Sequence, residues 1–241
     1  GDNMKKLILL ITMTLSLCAF SAHHESTPQT TDGAFTTLMI ASPNIEKYTE
    51  TLRSNPSAFQ TTGATAAGVC VTNSGHDYLG QMMVWSAFPD VTSALAGSTK
   101  YDPQKAPRSF SNLREIKYGV TWKPVTPFRL EPGYERVQRI KVSSENMPSF
   151  LEGLEKLESA IKADGNHNFY NGAFVAIGGG VHEVETLMVR SITRDATSMG
   201  VLFDSYFAGT ASWADAYDSL MQLGEVMSDN FEICEQLYTA G

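Results

Sequence analysis

Met83-Val84-Trp85-Ser86 is echoed by Met188-Val189-Arg190-Ser191. The echo extends outward from both copies. Upstream, Gly68-Val69-Cys70-Val71 parallels Gly172-Ala173-Phe174-Val175. Further upstream, Ile40-Ala41-Ser42-Pro43-Asn44-Ile45-Glu46-Lys47-Tyr48 parallels Val142-Ser143-Ser144-Glu145-Asn146-Met147-Pro148-Ser149-Phe150. Downstream, Ser111-Asn112-Leu113-Arg114-Glu115-Ile116 parallels Ser228-Asp229-Asn230-Phe231-Glu232-Ile233. Identity is weak, but the order is kept with small drifts in spacing, which marks an internal repeat.

Each copy reads as βαββαβ. In the first, strands are expected at Ala34–Ala41, Ala64–Thr72, Tyr78–Ala87 and Leu113–Trp122. Asn73-Ser74-Gly75 is the hairpin signal between the middle pair. Helices are expected near Asn44–Arg53 and Asp90–Ala96. In the second copy, strands are expected at Tyr134–Ser143, Gly172–Gly178, Glu183–Ile192 and Asn230–Tyr238. Helices there are Met147–Ala163 and Ala196–Gly224, the latter broken near Gly209. Phe150, Leu151, Leu154 and Leu157 give the first of these an amphipathic face. Pro124, Pro127 and Pro132 mark a linker. The organisation is therefore a first unit at 34–124, a linker at 125–133 and a second unit at 134–241.

The order βαββαβ is the ferredoxin-like split βαβ unit. Two such units in tandem resemble the dimeric α/β-barrel superfamily and are similar to antibiotic-biosynthesis monooxygenase-like and NIPSNAP-like proteins. The resemblance covers roughly Ala34 to Tyr238 and rests on topology and repeat. It implies an α+β fold in which the units form one intrachain barrel, each half with strand order 4-1-3-2. Members include haem-degrading enzymes, cofactor-free oxygenases, isomerases and ligand-binding regulators, so the fold leaves function open. In the superfamily the fourth strand of one unit lies beside the second strand of the other. That pairing would bring Cys70 near Cys234. Two buried free thiols are the preferred reading, since cysteine is often a small apolar core residue; a disulfide is the alternative.

The chain has 241 residues, 42% hydrophobic and 18% charged, enough for a packed core. A formal net charge of −8 argues against a nucleic-acid partner, which would need a basic stripe. Residues 1–22 read as a secretory signal segment: Lys5 and Lys6, an apolar run from Leu7 to Phe20, then small residues with a cut after Ser21. A lipoprotein anchored at Cys18 is the rival. No other segment is long and apolar enough to cross a membrane. Residues 23–33 read as a flexible lead-in, and the expected location is periplasmic or secreted. A cut after Ser21 would expose Ala22-His23-His24, a weak Cu(II) or Ni(II) site through His23, His24 and the new amine.

Strand alternation assigns the cavity wall. The first half offers Met83 and Trp85, with Glu115 and Lys117 on its last strand. The second offers Arg139, Lys141, Met188 and Arg190, with Glu232 nearby. Guanidinium forks suit carboxylates, and the Met and Trp side chains suit an apolar body. The leading expectation is thus an exported small-ligand-binding protein, its partner a small molecule, anionic with an apolar body. The competing readings are a cofactor-free or haem-dependent monooxygenase-type oxidoreductase, and a structural or partner-binding protein whose charges form a compensated network. His76, His182 and His167 are secondary candidates; hairpin or loop surface is the plainer account of each. Gly178-Gly179-Gly180 lacks the Lys and context of a phosphate loop.

Overall fold

A computed structural model describes residues 30–241. The expected signal segment, Cys18, His23 and His24 lie outside the described residues. Strands β1 (Ala34–Ala41), β2 (Ala66–Ser74), β3 (Gln81–Phe88) and β4 (Glu115–Pro124) belong to the first unit. Strands β5 (Gly133–Val142), β6 (Tyr170–Ile177), β7 (Leu187–Thr193) and β8 (Gly224–Thr239) belong to the second. They close into one antiparallel barrel in the order β1-β3-β2-β8-β5-β7-β6-β4. Each half keeps the expected order 4-1-3-2, and the fourth strand of each unit pairs with the second strand of the other.

The helices lie outside. The first unit carries α1 (Ile45–Ser54), α2 (Ser57–Thr62), α3 (Val91–Ser98) and α4 (Arg108–Ser111). The second carries α5 (Met147–Ala163), α6 (Ala196–Phe207) and α7 (Ala214–Met221). Helices α3 and α6 start the same way: the carboxylates of Asp90 and Asp195 accept the amide N–H of Ser93 and Ser198 at 2.6 and 2.8 Å. Such caps satisfy N–H groups that have no partner within the helix. The expected break after α6 falls at Ala208–Trp213, with Gly209 at φ +68°, a backbone region that glycine enters without penalty.

Two apolar layers result. Ile40, Val69 and Met82 pack outward under the first helices. Ile140, Ala173 and Val189 pack under α5, whose Phe150, Leu154, Leu157 and Ile161 recur on one face. Burying each of these helix side chains contributes about 1.5–3 kcal/mol. The barrel interior is a separate layer of Met39, Met83, Trp85, Val120, Trp122, Phe174 and Met188. Gly68 and Gly172, equivalent in the repeat, make room in it. A Cβ on Gly68 would stand 2.6 Å from the Trp85 ring, and one on Gly172 2.4 Å from Phe128 Cδ2. Phe128 belongs to the linker; it stoppers one end of the barrel against Phe35 and Phe174, and its backbone pairs with Thr30.

Several expectations need correction. Cys70 and Cys234 are opposite one another in the β2–β8 pairing and form a disulfide, not two free thiols. Lys117 is not in the cavity. Met39 pairs with Tyr118 but Ile40 with Ile116, so Lys117 is the extra residue of a bulge. Beyond the bulge the faces exchange, and Tyr118, Val120 and Trp122 point inward. Strand β7 begins at Leu187, and Glu183 sits in the loop before it.

Candidate functional site

The expected pocket is mostly a core. Arg190 rises from β7 into the barrel centre with its side chain 5% exposed. Its Nε meets Glu135 of β5 at 2.5 Å, and its Nη2 meets Glu232 of β8 at 2.6 Å. The same guanidinium lies 3.3 and 3.5 Å from the Sγ atoms of Cys234 and Cys70. It lies 3.7 Å from Met188 Sδ. Burial alone would lower the Arg190 pKa, but the fields of Glu135 and Glu232 outweigh it and hold the value above the ordinary one. Burial pushes Glu135 up, because loss of water disfavours the charged carboxylate.

Arg139 is committed too. Its Nε and Nη2 form a fork with Glu183 at 2.6 and 2.9 Å, and the same carboxylate accepts the Tyr118 hydroxyl at 2.8 Å. Glu183 keeps Arg139 above its ordinary pKa against the opposing effect of burial. Trp122 faces the Arg139 guanidinium at 5.1 Å. These five residues hold two positive and three negative charges, so the interior is net acidic when all are ionised. Free forks for an incoming carboxylate are therefore absent here. The remaining space, bounded by Phe35, Met83, Trp85, Phe174 and Met188, is about 60 Å³.

The other candidates disperse. Lys117 pairs with Glu115 at 2.8 Å near the Tyr78 ring. Lys141 shares the inward face of β5 but lies where the strand leaves the barrel; it is half exposed and pairs with Glu185 at 2.5 Å. His76 and His167 are exposed. His182 is also exposed and stacks on Tyr118 with ring centroids 4.1 Å apart. Cys70, Cys234 and Glu135 bring ligand-type atoms within 4.8 Å, but the sulfurs are bonded to each other and offer no thiolate. Haem does not fit these residues. None of the described histidines lines the larger cavities, the cysteines are bonded, and the barrel centre is far too small for a macrocycle.

The roomiest cavity is elsewhere. A groove of about 390 Å³ lies between the outer face of β1, β3 and β4 and the helices α2 to α4. The two halves roof their sheets differently. The 17-residue α5 has as its counterpart two short helices, α1 of 10 residues and α2 of 6, and α3 has 8 residues against 12 in α6. At 1.5 Å per residue, α3 is shorter by about 6 Å. The floor beneath is built from Thr36, Leu38, Val84, Ser86, Gly119 and Thr121, several of them too small to fill the gap. Phe59, Leu95 and Phe110 form the walls, with Tyr101 and Arg114 at one end.

Arg114 escaped the sequence reading, yet it carried a signal. It stands just before β4, two residues ahead of Ile116 on the helix-facing side, where a cation is out of place. Arg114 Nη1 donates to Tyr48 Oη at 2.8 Å, and Nη2 donates to the Pro103 carbonyl at 3.1 Å. Its guanidinium lies over the Phe110 ring at 4.6 Å. Glu135 was missed because ion pairing across strands depends on register, and Glu183 because it reaches Arg139 from the loop before β7.

No protein-family model matches the chain, and no curated protein matches it in sequence. Solved structures match its fold. An anthrone oxidase-like protein aligns at TM-score 0.55 with 11% identity, covering 87% of this chain and 94% of that one. A monooxygenase-like protein from Lactobacillus acidophilus aligns at TM-score 0.52 and 8% identity, covering 87% and 96%. A variant of the chlorite dismutase of Candidatus Nitrospira defluvii aligns at TM-score 0.54 and 8% identity, covering 86% and 93%. At these identities the likeness establishes the tandem ferredoxin-like barrel and leaves chemistry to the residues.

Proposed function

We propose that this is an exported protein that binds a small, largely apolar molecule in the groove under the helices of its first half. The supporting observation is the asymmetry of the duplication. Under the helices of the second half the free space is about 140 Å³, whereas the first half retains about 390 Å³ over a floor of small side chains. That volume falls in the range of small-molecule sites, which are apolar with a few placed polar groups. The hydroxyls of Thr36, Ser86 and Thr121 supply such groups. Export rests on the signal segment at residues 1–22.

A monooxygenase-type reading draws support from fold likeness alone. Proton transfer would need an acid or base free to act on a substrate, whereas the charged residues in the barrel engage one another.

The neutral fluorophore N-phenyl-1-naphthylamine tests the groove. Saturable binding at one site is expected, weakened at least tenfold by Ser86→Phe, which fills the floor. Absence of saturable binding, or equal binding by a folded Ser86→Phe variant, would refute the reading.

A further inference from the structure

We propose that Arg114 is an anion receptor and that the ligand of the groove carries one carboxylate on an apolar body; this rests on the binding reading above. Among the described residues, the partly buried arginines Arg129, Arg136, Arg139 and Arg190 each reach a carboxylate. Arg114 is partly buried and reaches none. Its hydrogen-bond partners are neutral: the Tyr48 hydroxyl at 2.8 Å, the Tyr101 hydroxyl at 3.5 Å and the Pro103 carbonyl at 3.1 Å. Its Nε is shielded from solvent and has no partner. A guanidinium carries five N–H donors in a fixed fork, so the charge and part of the fork are uncommitted.

Shielding a cation without a counter-ion is unfavourable. An incoming carboxylate would supply the missing charge and an acceptor. The neutral partners and the Phe110 ring hold the guanidinium in place without neutralising it. From that end the groove runs along Phe59, Leu38, Val84 and Leu95, a surface suited to alkyl or aryl carbon. The expected class is therefore a medium-chain or aromatic monocarboxylate. Its site is the outer groove of the first half, not the acidic barrel centre.

The test is calorimetric titration of the folded mature protein with decanoate and, separately, decanol near neutral pH. Decanoate is expected to bind at least tenfold more tightly, the scale of a charge-assisted hydrogen bond. Arg114→Gln should abolish that preference while leaving decanol affinity unchanged. Arg114→Lys, which keeps the charge and loses the fork, should retain a smaller preference. Equal binding of both probes by the unaltered protein would overturn the anion assignment while leaving the groove intact. So would equal weakening of both by Arg114→Gln, marking Arg114 as a brace for Tyr48 and Tyr101. If Arg114→Gln does not fold, an undiminished preference in Arg114→Lys overturns the fork. Binding of neither probe overturns the groove reading and this one together.

Discussion

Replacing Arg190 with Met removes the cation shared by Glu135 and Glu232 while keeping an apolar side chain of similar length. Both carboxylates are buried, at 4% and 2% exposure, so water cannot replace the lost donor. Two charge-assisted hydrogen bonds disappear. At about 1.5–3 kcal/mol each, the penalty is roughly 3–6 kcal/mol if both carboxyls stay ionised. The folded variant can escape by protonating Glu135. Burial already raises this carboxyl, and loss of Arg190, which lowers it, raises it further. A carboxyl whose folded pKa is raised binds more protons folded than unfolded, so stability falls as pH rises above the unfolded value near ~4.3. The slope approaches about 1.4 kcal/mol per pH unit for this one carboxyl. Urea unfolding followed by far-ultraviolet circular dichroism, with the disulfide intact, measures this. The variant's deficit should be small near pH 5 and reach several kcal/mol near pH 7. A deficit independent of pH, or no deficit at pH 7, would refute the shared-cation account.

Other outcomes follow from the same geometry. Gly172→Val should lower stability by about 1–3 kcal/mol by displacing Phe128, read as a drop in melting temperature. Removing both Cys70 and Cys234 by Ala substitution should remove up to about 5 kcal/mol, given a loop of 164 residues. In the denatured, unreduced parent protein neither Cys70 nor Cys234 should react with maleimide. A tagged chain expressed from Met4 should be recovered outside the cytoplasm, cut near Ser21; a soluble cytoplasmic product retaining residues 4–21 would contradict export.

The repeat made the topology legible, because alternating apolar positions and hairpin turns are local signals. Helix α5 matches its expected span of Met147–Ala163, since its apolar stripe and flanking polar residues define it alone. The site was less legible. Arg139 and Arg190 do face the barrel, as period-2 alternation requires, but their partners come from elements distant in sequence, so alternation could not show that they are neutralised. Lys117 was misplaced by one bulged residue. The disulfide depends on two strands meeting across the repeat, which topology suggested but sequence alone could not carry to bonding distance. The groove lies under the separate short helices α1 and α2 and a shortened α3, a packing outcome that no local pattern shows. The one local sign of it was a cation, Arg114, two residues before the helix-facing Ile116.

The seams β2–β8 and β4–β6 join the two halves within a single chain. If the halves were separate molecules, barrel closure would be a bimolecular event and would reverse on dilution. Tethering converts it to a unimolecular event, with an effective local concentration that reaches the millimolar range for short flexible linkers. The covalent bond between Cys70 and Cys234 adds a second tether at one seam. Assembly of this barrel should therefore be independent of how much protein is present, which allows one half to depart from the other's helix lengths without losing its mate.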